Sequence, residues 1–68
     1  MNRTLIGYRT MLGLNQKQLG NYIGMSASNY CKKETGKAEF RADEMIKIMK
    51  LINAKYPTIT MEYIFTKI

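Results

Sequence analysis

Ser28 and Lys32 stand four residues apart in the stretch "SASNYCKKE", with Asn29 between them and Ala27 just ahead. In a helix, residues four apart lie on one face. On such a wheel Tyr30 points the other way, with Glu34 beside it, while Cys31 and Asn29 take the flanks. Ala27 falls at the exposed N-terminal tip. The outward face therefore offers a small hydroxyl, an amide and an ammonium group. That chemistry suits a groove of double-stranded DNA. Ser and Asn hydrogen-bond base edges, Lys binds guanine or phosphate, and small side chains allow close approach. An ordinary solvated helix face has the same composition, so the surrounding elements have to decide.

Other chemistries find little material. The 68 residues include no histidine and a single cysteine, Cys31. A structural zinc site needs several such ligands, and histidine acid–base chemistry is excluded. No nucleophile–base set, metal cluster or phosphate loop is recognisable. The expectation is a protein with no catalytic residues, no metal, no cofactor and no small-molecule ligand. Asp43 and Glu44 are neighbours on a helix and point in different directions. They read as complements to a helix start. Cys31 reads as a small packing residue at the edge of the outward face, and the six methionines mostly as core filler. Tyr8, Tyr22 and Tyr30 read as core.

The charge is +6, from 11 basic and 5 acidic residues. Nucleic acid is the natural counter-charge for so small a basic chain, against the alternative of a basic surface kept for solubility. Lys17, Lys32, Lys33, Lys37 and Arg41 lie near the proposed DNA face. No apolar run approaches the ~20 residues that span a bilayer. The start, "MNRTLIGYRT", is interrupted by Arg3 and Arg9 and does not read as a signal peptide. One cysteine allows no internal disulfide. The expected place is the cytoplasm of a bacterial host, at the nucleoid, with no membrane partner.

The elements that must hold the face are short and well punctuated by Gly13, Gly24, Gly36 and Pro57. A first helix is expected over about 2–12, with Leu5, Tyr8 and Leu12 at helical spacing, Asn2 as its cap and Gly13 at its end. A second is expected over about 16–23. Asn15 and Gln18 there form a capping-box pattern, and Leu19, Tyr22 and Ile23 make the apolar face. A third is expected over about 27–34, capped by Ser26. The longest, "RADEMIKIMKLIN", places Met45, Ile48, Met49 and Ile52 on one stripe. After Pro57, Thr60 caps a last short helix, "MEYIFT", with Glu62 in its first turn. The tail also alternates like a strand. Helix is preferred because an all-helical domain has no strand beside it, the alternative being a strand paired with its own copy. Two short helices joined through Gly24 make a helix-turn-helix. Gly24 supplies the positive φ of a sharp turn. Gly20, costly inside a helix, lets another backbone come close.

The run "LGLNQKQLGNYIGMSASNYCKKETGK", with Arg9 upstream, resembles the Cro and phage-repressor family of helix-turn-helix proteins. The matching features are Gln16 opening the second helix, Leu19, the small Gly20, Gly24, Ser26 and the "KETGK" end of the third helix. The resemblance runs from about Leu5 to Phe65 and is strongest over 12–37. It implies an all-α, compact five-helix domain of the phage-repressor DNA-binding type occupying 1–68. Ala27, Ser28 and Lys32 would face bases, with Asn29 beside them. Gln16 would bind phosphate, and Thr35 and Lys37 would meet the DNA backbone. Lys17 and Arg41 add positive charge there. Arg9 and Glu34 match a family pair that forms a partly buried, structural salt bridge. Three positions depart from the pattern. Lys33 is usually apolar in the family, so its stem is expected to cover the core edge while its amine reaches solvent or phosphate. Ala27 and Ser28 are short where many members carry Gln or Arg.

The expected role is a sequence-specific transcriptional regulator of a phage or mobile element, acting as a repressor on a double-stranded operator. A homodimer is expected, with contacts drawn from the apolar tail residues Ile59, Tyr63, Phe65 and Ile68. The alternative is a small anti-repressor that binds a larger repressor protein through the same tail or through the third helix.

Overall fold

The computed structural model describes residues 1–65, and these form five α-helices: α1 (Arg3–Met11), α2 (Gln16–Tyr22), α3 (Ala27–Glu34), α4 (Ala42–Lys55) and α5 (Met61–Phe65). Each start has a local cause. Asn2 Oδ1 accepts the Leu5 N–H at 2.9 Å. Asn15 and Gln18 exchange side-chain and backbone hydrogen bonds at 2.7 and 2.9 Å, closing a capping box. Ser26 caps α3 through the Asn29 N–H, and Thr60 caps α5 through the Tyr63 N–H. At α4 the Glu44 carboxylate accepts the Arg41 N–H at 2.8 Å, so Arg41 precedes the helix and α4 runs on to Lys55. The tail forms a helix over Met61–Phe65 rather than a strand; Ile68 lies outside the described residues.

Every helix sends residues into one core. Leu5 comes from α1, Leu19 from α2 with Ile23 just after it, Tyr30 from α3, Ile48, Met49 and Ile52 from α4, and Ile64 from α5. Burying such side chains contributes about 1.5–3 kcal/mol each. Phe40, between α3 and α4, sets its ring edge-on against both Tyr30 and Phe65, at 5.8 and 5.4 Å between centroids. Asn2 does more than cap α1. Its Nδ2 donates to the Ile64 carbonyl at 2.8 Å and its N–H to the Glu34 carbonyl at 2.9 Å, tying α1 to α5 and α3. Asn53 Nδ2 donates to the carbonyls of Tyr56 and Ile59, holding the turn around Pro57.

Several expectations are corrected by the packing. Tyr22 is 52% exposed: Leu19 and Ile23 fill the buried side of α2 and leave its ring outside. Of the methionines only Met49 is buried; Met1 and Met11 are exposed, Met25 and Met61 pack at the core edge, and Met45 is half-buried. In the tail, Ile59 and Phe65 pack against the core, and Ile64 fills it. Tyr63 is the one large apolar side chain of α5 left mostly outside. Among the described residues no helix is long and apolar enough to cross a membrane.

Candidate nucleic-acid interface

Gly24 has φ +82°, the left-handed conformation, which lets α2 stop and α3 start with only four residues between them. Gly20 lies under that turn. A Cβ there would stand 3.1 Å from the Met25 carbonyl oxygen and 3.3 Å from the Tyr30 Cβ, so the missing side chain is what lets the two helices close up. The Met25 N–H donates to the Gly20 carbonyl at 2.9 Å across the same contact.

The inner side of α3 is locked by one buried carboxylate. Glu34 is 1% exposed and accepts four hydrogen bonds. Arg9 of α1 gives two, from Nε at 2.8 Å and Nη2 at 3.3 Å. Gln16 of α2 gives one from Nε2 at 2.8 Å, and the Tyr30 hydroxyl gives one at 2.7 Å. Arg9 Nη1 also donates to the Leu14 carbonyl, closing the chain between α1 and α2. Burial pushes the Glu34 carboxyl up, but the bonds from Arg9, Gln16 and Tyr30 more than offset it and hold it below the usual carboxylate range. The bond to Glu34 raises Arg9, and burial together with the neighbouring carboxylate raises the Tyr30 hydroxyl. The Glu34 group thus stays charged and satisfied in a place where an unpaired charge is costly.

Lys33 does not reach solvent or phosphate as its position suggested. Its Nζ is 2.6 Å from Glu44 Oε1, with both side chains mostly buried, so the pair fastens α3 to the start of α4. Burial pushes the Glu44 carboxyl up, while the Arg41 N–H and the Lys33 ammonium pull it further down. Two of the eleven basic side chains, Arg9 and Lys33, are therefore spent inside the fold.

The outer side of α3 is open. Ser28, Asn29 and Lys32 are exposed, and among the described residues their side chains make no hydrogen bond or ion pair within the chain. Ala27 and Cys31 are half-buried at the edges, Ala27 less free than a helix tip suggests. Thr35 turns its hydroxyl back onto the Cys31 carbonyl at 2.7 Å. The Lys37 N–H returns to the Lys32 carbonyl at 2.8 Å, which keeps Lys37 at the same end of α3. Gln16 meets that end too, through Glu34, and the residue after it, Lys17, is exposed. Arg41 is 77% exposed and 3.5 Å from Asp43. Sequence reasoning missed the Gln16–Glu34 and Lys33–Glu44 bonds. The side chains that make them are polar residues on helices whose relative placement no local pattern gives. Neither a family model, nor a curated protein, nor a solved structure matches the chain.

Proposed function

We propose that the chain is a Cro-like helix-turn-helix DNA-binding protein that represses transcription for a phage or mobile element. It binds a double-stranded operator as a homodimer and performs no catalysis. The observation that carries this reading is the contrast across α3. One side is fixed by Glu34, while Ser28, Asn29 and Lys32 on the other carry groups that read base edges and have no partner within the described chain. Lys17, Lys37 and Arg41 flank that side as phosphate contacts, with Gln16 and Thr35 next to them. Gln16 Nε2 carries two N–H groups and spends one on Glu34. The second serves a phosphate.

A titration against salt tests the reading. If Lys17, Lys37 and Arg41 each neutralise one phosphate, log affinity falls against log salt with a slope of about −2.7 per copy. Lys32→Ala lowers the preference for the operator over random duplex by about 1–3 kcal/mol, whereas Lys37→Ala weakens both alike. A flat salt response defeats the DNA reading and favours an anti-repressor that meets a larger repressor instead.

A further inference from the structure

Four of the five helices begin with a side chain that accepts a backbone N–H: Asn2, Asn15, Ser26 and Thr60. The longest helix, α4, begins instead at Arg41, whose side chain makes no cap. A guanidinium has donors and no acceptor, so it cannot serve there. Its charge is also misplaced, because cations are unfavourable at the positive end of a helix. Nor does the side chain cover the core. It is 77% exposed and lies 3.5 Å from Asp43, which is exposed too. Arginine here weakens the fold on two counts, and its use has to lie outside the fold.

Glu44 secures the helix start that Arg41 cannot. Its Oε1 accepts the Arg41 N–H at 2.8 Å. The same oxygen lies 2.6 Å from Lys33 Nζ, in a pair that is mostly buried. Without Lys33, Glu44 would be an unpaired carboxylate three positions from Arg41, a spacing at which helix side chains meet. The guanidinium fork matches a carboxylate as well as it matches a phosphate. A released Glu44 would therefore compete for it.

We propose that Lys33 is a positioning residue for DNA binding: by holding Glu44, it leaves the Arg41 guanidinium free for a phosphate. The proposal deepens the DNA reading above and rests on it. Lys33 itself touches no DNA and acts only through Glu44. This accounts for a lysine at a place where the resemblance leads one to expect an apolar side chain. Arg41 is then kept for binding at the expense of a cap, and the Lys33–Glu44 pair makes that exchange tolerable.

Binding of the intact chain to a short duplex of random sequence tests this, since phosphate contacts carry no sequence information. Melting of every variant is read beside its affinity. Arg41→Ser gives α4 an accepting cap, so its melting temperature rises by about 4–8 °C. Its salt slope becomes shallower by about 0.9. A merely structural residue would not couple a gain in stability to a loss of binding. Lys33→Met lowers affinity about tenfold while Arg41 is present, and not at all in the Arg41→Ser chain, where nothing is left to position. Adding Glu44→Gln to Lys33→Met restores affinity and slope, because an amide keeps the capping box and forms no ion pair with Arg41. This doubly neutral chain leaves no buried charge unpaired, so it carries the test even where Lys33→Met alone fails to fold. Four results overturn the proposal: a folded Lys33→Met chain that binds undiminished, an equal loss in the Arg41→Ser background, a doubly neutral chain that stays weak, or an Arg41→Ser chain that melts lower. If the wild type keeps a steep salt slope in those cases, the DNA reading stands and only the role of Lys33 falls. A flat slope for the wild type defeats both.

Discussion

The Glu34 cluster and the rings around Tyr8 use the same materials, tyrosine hydroxyls and rings beside charged side chains, to opposite ends. At Glu34 every donor is turned inward: Tyr30 is fully buried, and its hydroxyl, Arg9 and Gln16 all point at one carboxylate. Around Tyr8 the rings of Tyr56 and Tyr63 stand edge-on at 5.4 and 6.4 Å; Tyr8 and Tyr56 lean on the core, Tyr63 is mostly exposed, and Lys55 lies over the Tyr56 ring. The first arrangement is closed and holds three helices in register. The second is open at Tyr63, whose exposed face contributes only when something covers it. The difference separates groups whose loss should unfold the domain from groups whose loss should change only what it binds.

The largest effect should come from emptying the closed cluster. Glu34→Ala leaves Arg9 buried without its carboxylate, and breaking a buried pair from one side costs about 3–5 kcal/mol. For a domain this small that is most of the stability, so the variant should melt tens of degrees lower or lack a cooperative transition. Gly24→Val should rank next, at about 2–3 kcal/mol, because a β-branched residue is strained at positive φ even though no atom lies within 4 Å of a Cβ there. Its melting temperature should fall while the exposed side chains of α3 are untouched.

Acid should act on the same cluster more gently. Glu34 and Glu44 both titrate lower in the folded chain than when unfolded. Their contribution is complete above the unfolded carboxyl value of about 4.3 and is lost as pH falls through the folded values. Melting temperature should therefore drop below about pH 4. Glu34→Gln should start lower and show a shallower drop, since one of the two carboxyls no longer titrates. Smallest of all, Tyr63→Ser in the open region should move stability by less than about 0.5 kcal/mol, while sedimentation shows weakened self-association. A stability loss comparable to that of Glu34→Ala would erase the distinction between the two regions.

The closed region was partly legible in the sequence, and the reason is locality. Asn2, Asn15, Ser26 and Gly24 act on residues two to four positions away, so the starts of α1, α2 and α3 and the turn between α2 and α3 could be read directly. The Arg9–Glu34 pair came from resemblance rather than from spacing. The bonds of Gln16 and Lys33 cross between helices and depend on rotamers that periodicity does not encode. The tail shows the same limit. The sequence marks Ile59, Tyr63 and Phe65 alike as apolar tail residues, but only packing decides that Ile59 and Phe65 lean on the core and Tyr63 does not. Tyr22 failed for a related reason, because two neighbours of suitable size, Leu19 and Ile23, already fill the space beneath α2.

Asn2 also bears on the order in which the molecule assembles. Its link to Ile64 joins positions 62 residues apart, so it closes a loop that contains nearly all of the described chain. Bringing such distant points together is entropically costlier than docking α3 on α2 across a short turn. The α2–α3 pair can therefore condense early, and the seam at Asn2 can close only once the chain between its ends has taken shape. In reverse, that seam is where the fold should first come undone. Backbone amides at the start of α1 and in α5 should exchange with solvent sooner than those in the middle of α3, and slower exchange at the seam would put the sequence of events the other way round.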